Sequence, residues 1–177
     1  LLLRYLKKIF YNSVAELRIM NSHHTVAIGT WEGDKQQSIE YNSSIAVGID
    51  CPRAKLRVSI LLDTIQEYQV RYIFSDEEIS EAVNEAGLII GARGIAYEGV
   101  LQRKPVIVVG EYGFGGLVTP DTLHEQYNNY FRGKINGIKA EYFSLERLEE
   151  EIRRGFALTF QELQMMSNQT IRFLHNI

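Results

Sequence analysis

Gly87-Leu-Ile-Ile-Gly-Ala-Arg-Gly-Ile-Ala-Tyr-Glu-Gly-Val-Leu-Gln-Arg-Lys-Pro-Val-Ile-Val-Val-Gly110 is the stretch that decides the fold. Its two ends, Leu88-Ile89-Ile90-Gly91 and Val106-Ile107-Val108-Val109-Gly110, are short aliphatic runs without polar alternation. Strands read this way when helices cover both faces of a parallel sheet. Between them, residues 95–103 place apolar side chains at helical intervals, and Pro105 falls at the boundary, where a missing amide donor does least harm. The order is strand, small-residue turn, helix, strand: one βαβ unit.

The same alternation extends outward. Thr25-Val26-Ala27-Ile28-Gly29, Ser44-Ile45-Ala46-Val47-Gly48-Ile49 and Val70-Arg71-Tyr72-Ile73-Phe74 read as three earlier strands. Residues 53–68 and 77–86 read as helices between them, with Leu56, Ile60, Leu61 and Ile65 spaced for one helical stripe. A short edge strand is expected near Lys139–Phe143, followed by helices over Leu145–Phe156 and Gln161–Leu174. The expectation is an α/β fold: a Rossmann-like, three-layer α/β/α domain with a parallel sheet of about six strands.

At 177 residues the chain has the length of one domain. Hydrophobic residues at 45% and charged residues at 23% exclude disordered and fibrous classes. A net charge of −3 provides no overall basic field for nucleic acid, so an anionic ligand must be held by a local site. The single cysteine, Cys51, excludes an internal disulfide and points to a reducing, cytoplasmic setting. Neither the histidines nor the cysteine have metal-ligand spacing, and no metal site is assigned.

Leu2, Tyr5, Leu6, Ile9 and Phe10, interspersed with Arg4, Lys7 and Lys8, read residues 1–20 as an amphipathic linker helix, too short and charged to span a bilayer. Packing on this domain or a neighbour is the simpler role for its apolar stripe, and peripheral docking on a membrane surface is the alternative. The domain itself is assigned to residues 21–160, and the helix at 161–177 to a surface that packs on a domain upstream of Leu1.

The turn Gly91-Ala92-Arg93-Gly94-Ile95 lets backbone approach a ligand at the end of a strand, where the following helix presents free amides and its positive dipole end. That geometry suits a diphosphate. Arg93 offers a charged fork to a phosphate, and Glu98, one turn into the helix, offers a carboxylate to ribose hydroxyls. The plain alternatives are glycines that only pack helix on sheet, a solvated Arg93 and an exposed Glu98.

This segment resembles the C-terminal domain of GT-B glycosyltransferases, a fold shared with non-hydrolysing UDP-N-acetylglucosamine 2-epimerases. There a strand, a small-residue turn and a helix with an acidic residue precede a Gly-Lys-Pro-Val strand, which here reads Arg103-Lys104-Pro105-Val106. The resemblance implies that Glu98 holds the nucleotide ribose and that Ala92-Arg93-Gly94-Ile95 receives the diphosphate. Many retaining members carry an acidic residue eight positions before the ribose glutamate; here that position is Ile90, which leaves the subgroup open.

Phe74 and Ser75, after the third strand, are implied base contacts, with a core role equally open for Tyr72 and Phe74. Gly29 and Lys35 are weaker phosphate candidates. A glycine-dense segment, Gly110 to Pro120, is expected to be a loop facing the same crevice, with Glu111, Tyr112, Gly113, Phe114 and Gly115 as weak phosphate or sugar contacts. Tyr112 and Phe114 would stack on a ligand or form a lid.

The implied function is the donor-binding half of a sugar transferase that takes a UDP- or GDP-linked sugar without metal or cofactor. Acceptor and catalytic base would come from an N-terminal domain upstream of this chain, which begins without Met. A UDP-sugar 2-epimerase and a non-catalytic nucleotide-binding scaffold are the alternatives.

Overall fold

A computed structural model of the chain describes residues 43–135 and 137–175. The expected amphipathic helix at 1–20, the strand at Thr25–Gly29 and the candidates Gly29 and Lys35 lie outside the described residues. Those described all belong to one compact unit, Glu40–Ile177.

The apolar runs form strands where expected: β1 (Ser44–Gly48), β2 (Gln69–Tyr72), β3 (Leu88–Gly91) and β4 (Val106–Gly110). They are joined by α1 (Pro52–Thr64), by a single 3-10 turn (Asp76–Glu78) leading into α2 (Ile79–Glu85), and by α3 (Gly94–Leu101). A fifth strand, β5 (Gly113–Leu117), is followed by α4 (Leu123–Asn128), α5 (Leu145–Phe156) and α6 (Phe160–His175). The five strands lie in the order β2-β1-β3-β4-β5. β1 is parallel to β2 and β3, β3 is parallel to β4, and β5 runs antiparallel to β4.

Burial follows position in the sheet. Every residue of β3 and β4 is buried, as the unbroken aliphatic runs require, whereas β2, outermost among the described strands, is only partly covered. Leu88 and Ile89 are consecutive on β3 and therefore face opposite sides of the sheet. A Cβ on Gly99 of α3 would stand 3.1 Å from Ile89 Cγ1, and one on Gly155 of α5 would stand 2.8 Å from Leu88 Cδ1. Helices thus cover both faces.

Two expectations are corrected. The sheet is mixed, with five strands among the described residues. Lys139–Phe143 is not a strand: Tyr142 N–H bonds back to Lys139 O at 2.9 Å, closing a turn. Just before it, Ile138 O bonds to β5, accepting from Phe114 N–H at 2.8 Å. Conversely, the expected glycine-rich loop contains β5. Its glycines serve a β-bulge at Val108/Val109 and the close approach of Gln126, whose amide donates to Gly115 O at 2.9 Å.

Capping and buried polar contacts fix the outer helices. Ser144 caps α5, its Oγ accepting from Arg147 N–H. Thr159 and Glu162 form a capping box at the start of α6: Thr159 N–H donates to Glu162 Oε2 at 2.8 Å, and Glu162 N–H donates to Thr159 Oγ1 at 3.3 Å. The Thr159 N–H, and the Thr159 hydroxyl donating to the same Oε2 at 2.7 Å, hold the Glu162 carboxyl below its usual range. The helix assigned to an upstream neighbour packs on α3 through its own buried residues, Leu163, Met166 and Ser167, with Ser167 Oγ donating to Leu101 O at 2.9 Å.

Candidate functional site

Because β1 leads to β2 on one side while β3 lies on the other, the chain reverses direction across the sheet between β1 and β3. In an open α/β sheet this is where the ends of two strands splay and a crevice opens. Asp50 follows β1, Arg93 follows β3 and Glu111 follows β4, so parallel pairing brings all three to one edge.

Arg93 sits on the turn into α3 with φ 57° and ψ −124°, a conformation of the first central position of a type II′ turn that glycine ordinarily fills. The sharp turn projects its side chain over the sheet edge. There Arg93 Nη2 lies 2.7 Å from Glu111 Oε2, and Nε lies 3.7 Å from Asp50 Oδ2. Glu111 Oε1 lies 3.2 Å from Arg132 Nε. Arg132 also donates from Nη1 to Tyr112 Oη at 3.2 Å, and its guanidinium lies 5.8 and 5.7 Å from the ring centroids of Tyr112 and Tyr130.

The arginines are held by backbone. Tyr130 and Phe131 have φ of 56° and 50°. With Arg93 they are three of the four non-glycine residues at positive φ among those described, so the strain is concentrated here. Phe131 is fully buried, with its ring edge-on to Tyr97 at 4.6 Å. Its carbonyl accepts from Arg93 N–H at 3.0 Å, while Arg132 O accepts from Tyr112 N–H at 2.9 Å. Residues 130–132 therefore clasp the turns after β3 and β4 together.

The amides of the β3–α3 turn divide into two sets. Ala92 N–H bonds to Gly48 O and Arg93 N–H to Phe131 O, so neither is spare. Gly94, Ile95 and Ala96 begin the helix and have no intrahelical acceptor, as at any helix start. Gly91 serves packing: a Cβ there would stand 2.5 Å from both Gly48 O and Ile95 Cγ2. The Ile95 side chain is buried against these glycines, and Ala92 is buried too.

Glu98 is buried, not exposed, and accepts from Gln102 Nε2 at 2.6 Å. Phe74 is 78% exposed, which rules out its core reading, and Lys55 Nζ lies 4.1 Å from its ring centroid. Ser75 Oγ hydrogen-bonds Glu78 at 3.1 Å and opens the 3-10 turn. Tyr112 is partly exposed at the cluster. Phe114 is corrected: it is buried, stacked 4.7 Å from Phe143, because its position on β5 faces the core. Gly113 and Gly115 are strand residues.

Sequence reading missed Arg132 and the pairing of Asp50 with Arg93. The only local signal was Arg132 next to Gly133 at the end of an aromatic turn. Among the described residues no group of three or more histidine, cysteine, aspartate or glutamate side chains is arranged to hold a metal, and no helix is long and apolar enough to cross a membrane. No protein-family model matches the chain, and no curated protein matches it.

Proposed function

We propose that this domain binds a nucleoside diphosphate-sugar at the β1/β3 crevice, as the donor-binding half of a GT-B-type glycosyltransferase. The observation that carries the reading is Arg93: a strained turn aims its guanidinium over the chain-reversal point, beside the first amides of α3, which have no intrahelical acceptor. The cation and helix start favour a diphosphate over a neutral ligand. The exposed Phe74 ring beyond β2 offers a stacking face for a base, and the resemblance assigns the ribose to Glu98, whose carboxylate would have to leave Gln102 to take it. In such a transferase the turn amides and Arg93 would stabilise negative charge growing on the diphosphate as the glycosidic bond breaks. An upstream domain would supply the acceptor and the catalytic base, in a cytoplasmic enzyme.

Calorimetric titration of the chain with UDP and GDP tests the reading. Saturable binding is expected, weakened by roughly 1–3 kcal/mol in Glu98→Ala if that carboxylate grips the ribose. No binding at millimolar nucleotide would leave only the fold.

A further inference from the structure

We infer that Arg132 is the second cation of the diphosphate seat, and that Glu111 is an internal counter-anion which an incoming phosphate displaces. The inference rests on the nucleotide reading above and adds to it a residue and a competition.

The Glu111 carboxylate lies between two guanidiniums, one oxygen toward Arg93 and the other toward Arg132. Carboxylate and phosphate present similar oxygen pairs to the arginine fork, so a group that fits one fits the other. The second contact is the looser. Arg132 Nε is closed off from solvent yet makes no aligned hydrogen bond among the described residues, despite its 3.2 Å approach to Glu111. A tetrahedral phosphate between the two arginines can meet that N–H from a direction the tethered carboxylate does not.

Backbone distinguishes the fixed partners from the movable one. Arg93 is itself at positive φ, and Arg132 directly follows two residues that are. Their positions are set by strain that a half-exposed ion pair alone does not repay. Glu111 sits on ordinary backbone, its side chain 39% exposed, so it can swing into water. Charge gives the swing its consequence. Asp50 and Glu111 balance Arg93 and Arg132, leaving the cluster neutral, and an added diphosphate gains little until Glu111 withdraws. Glu111 therefore sets a threshold that lowers affinity for single anions and favours a ligand with several phosphate oxygens.

The test titrates inorganic pyrophosphate, at low ionic strength, into the wild-type chain, Glu111→Gln and Arg132→Gln, with urea midpoints to establish that each is folded. Glu111→Gln is expected to bind about tenfold tighter, and Arg132→Gln about tenfold weaker, each the order of one charge pair. Equal or weaker binding by Glu111→Gln overturns the counter-anion, and unchanged binding by Arg132→Gln removes Arg132 from the seat. If pyrophosphate follows the expected order but UDP and GDP bind no tighter than it does, the seat stands and the nucleotide reading falls. No binding by any of the three proteins overturns both.

Discussion

Gly110 ends β4 directly beneath the carbonyl of Arg132, where a Cβ would stand 2.5 Å from that oxygen. The same carbonyl accepts the Tyr112 amide, so the strand end and the arginine turn are locked as one piece. Gly110→Ala must push the 130–133 turn away, and an overpacked buried site of this kind costs about 1–3 kcal/mol. Urea unfolding should show that loss. Pyrophosphate affinity should fall with it, because Arg132 moves with the turn; a destabilised variant with intact affinity would separate Arg132 from ligand binding.

Arg93 is expected to trade stability for binding. At φ 57° a glycine is free of the strain an L-residue bears, a relief of about 1 kcal/mol. Loss of its partly exposed pairs with Glu111 and Asp50 offsets about 0–1 kcal/mol. Arg93→Gly should thus be as stable as the wild type or slightly more so, while Arg93→Ala, which keeps the strain and loses the pairs, is less stable than either. Both should lose most diphosphate affinity. Denaturant midpoints that rank alanine above glycine would remove the strain argument.

The parts of the fold legible in sequence were those whose signal is local. Leu88–Gly91 and Val106–Gly110 became central strands because continuous aliphatic runs can be buried on both faces, and Leu145–Phe156 became a helix as read. β5 was illegible because Gly113, Gly115 and Gly116 carry no strand propensity; its pairing depends on a bulge in β4 and a bond from Gln126. Arg132 was illegible because a turn through Tyr130 and Phe131, not sequence proximity, delivers it to Arg93. Motif reading also mixed two roles. Lys104 has a structural use, donating to Asn84 O and Ala86 O at 2.9 and 2.8 Å and so closing the end of α2.

The residue before that lysine tests the same point. Where the resembled motif has glycine, this chain has Arg103 at φ 58°, with its guanidinium lying 5.6 Å from the Phe160 ring centroid. Arg103→Gly should be as stable as the wild type or more stable by up to about 0.5 kcal/mol, since strain relief of about 1 kcal/mol matches or exceeds a solvent-accessible cation–π contact of about 0.5–1 kcal/mol. A lowered thermal midpoint would show that the Phe160 contact dominates.

Glu151 is a buried structural carboxylate, 1% exposed, accepting from Leu117 N–H at 3.1 Å while Arg147 and Arg154 approach at 2.8 and 3.2 Å. It joins α5 to the antiparallel strand. Both arginines are half-exposed and can return to water, so Glu151→Ala chiefly orphans the Leu117 amide and opens a void, costing about 2–3 kcal/mol. Glu151→Gln keeps an acceptor and should cost less. Equal losses in urea unfolding would assign the stability to charge instead of the hydrogen bond.

Alkaline pH should destabilise the fold through its tyrosines. Burial raises the phenols of Tyr68, Tyr72, Tyr97 and Tyr127 above 10.0, most strongly at Tyr97, which is packed against Phe131 and Tyr127. A phenol raised in the folded state stabilises fully below pH 10.0; above it the unfolded chain loses its proton first, and stability declines toward the folded value. Lys104 acts oppositely. Burial lowers it from 10.5, so the folded state releases its proton first and stability rises in the interval just below that pH. One lysine against four tyrosines leaves a shallow change below pH 10 and a net fall above it, led by Tyr97. Urea midpoints at pH 9 and 11 should differ less in Tyr97→Phe than in the wild type; parallel pH profiles would mean that Tyr97 ionises as freely folded as unfolded.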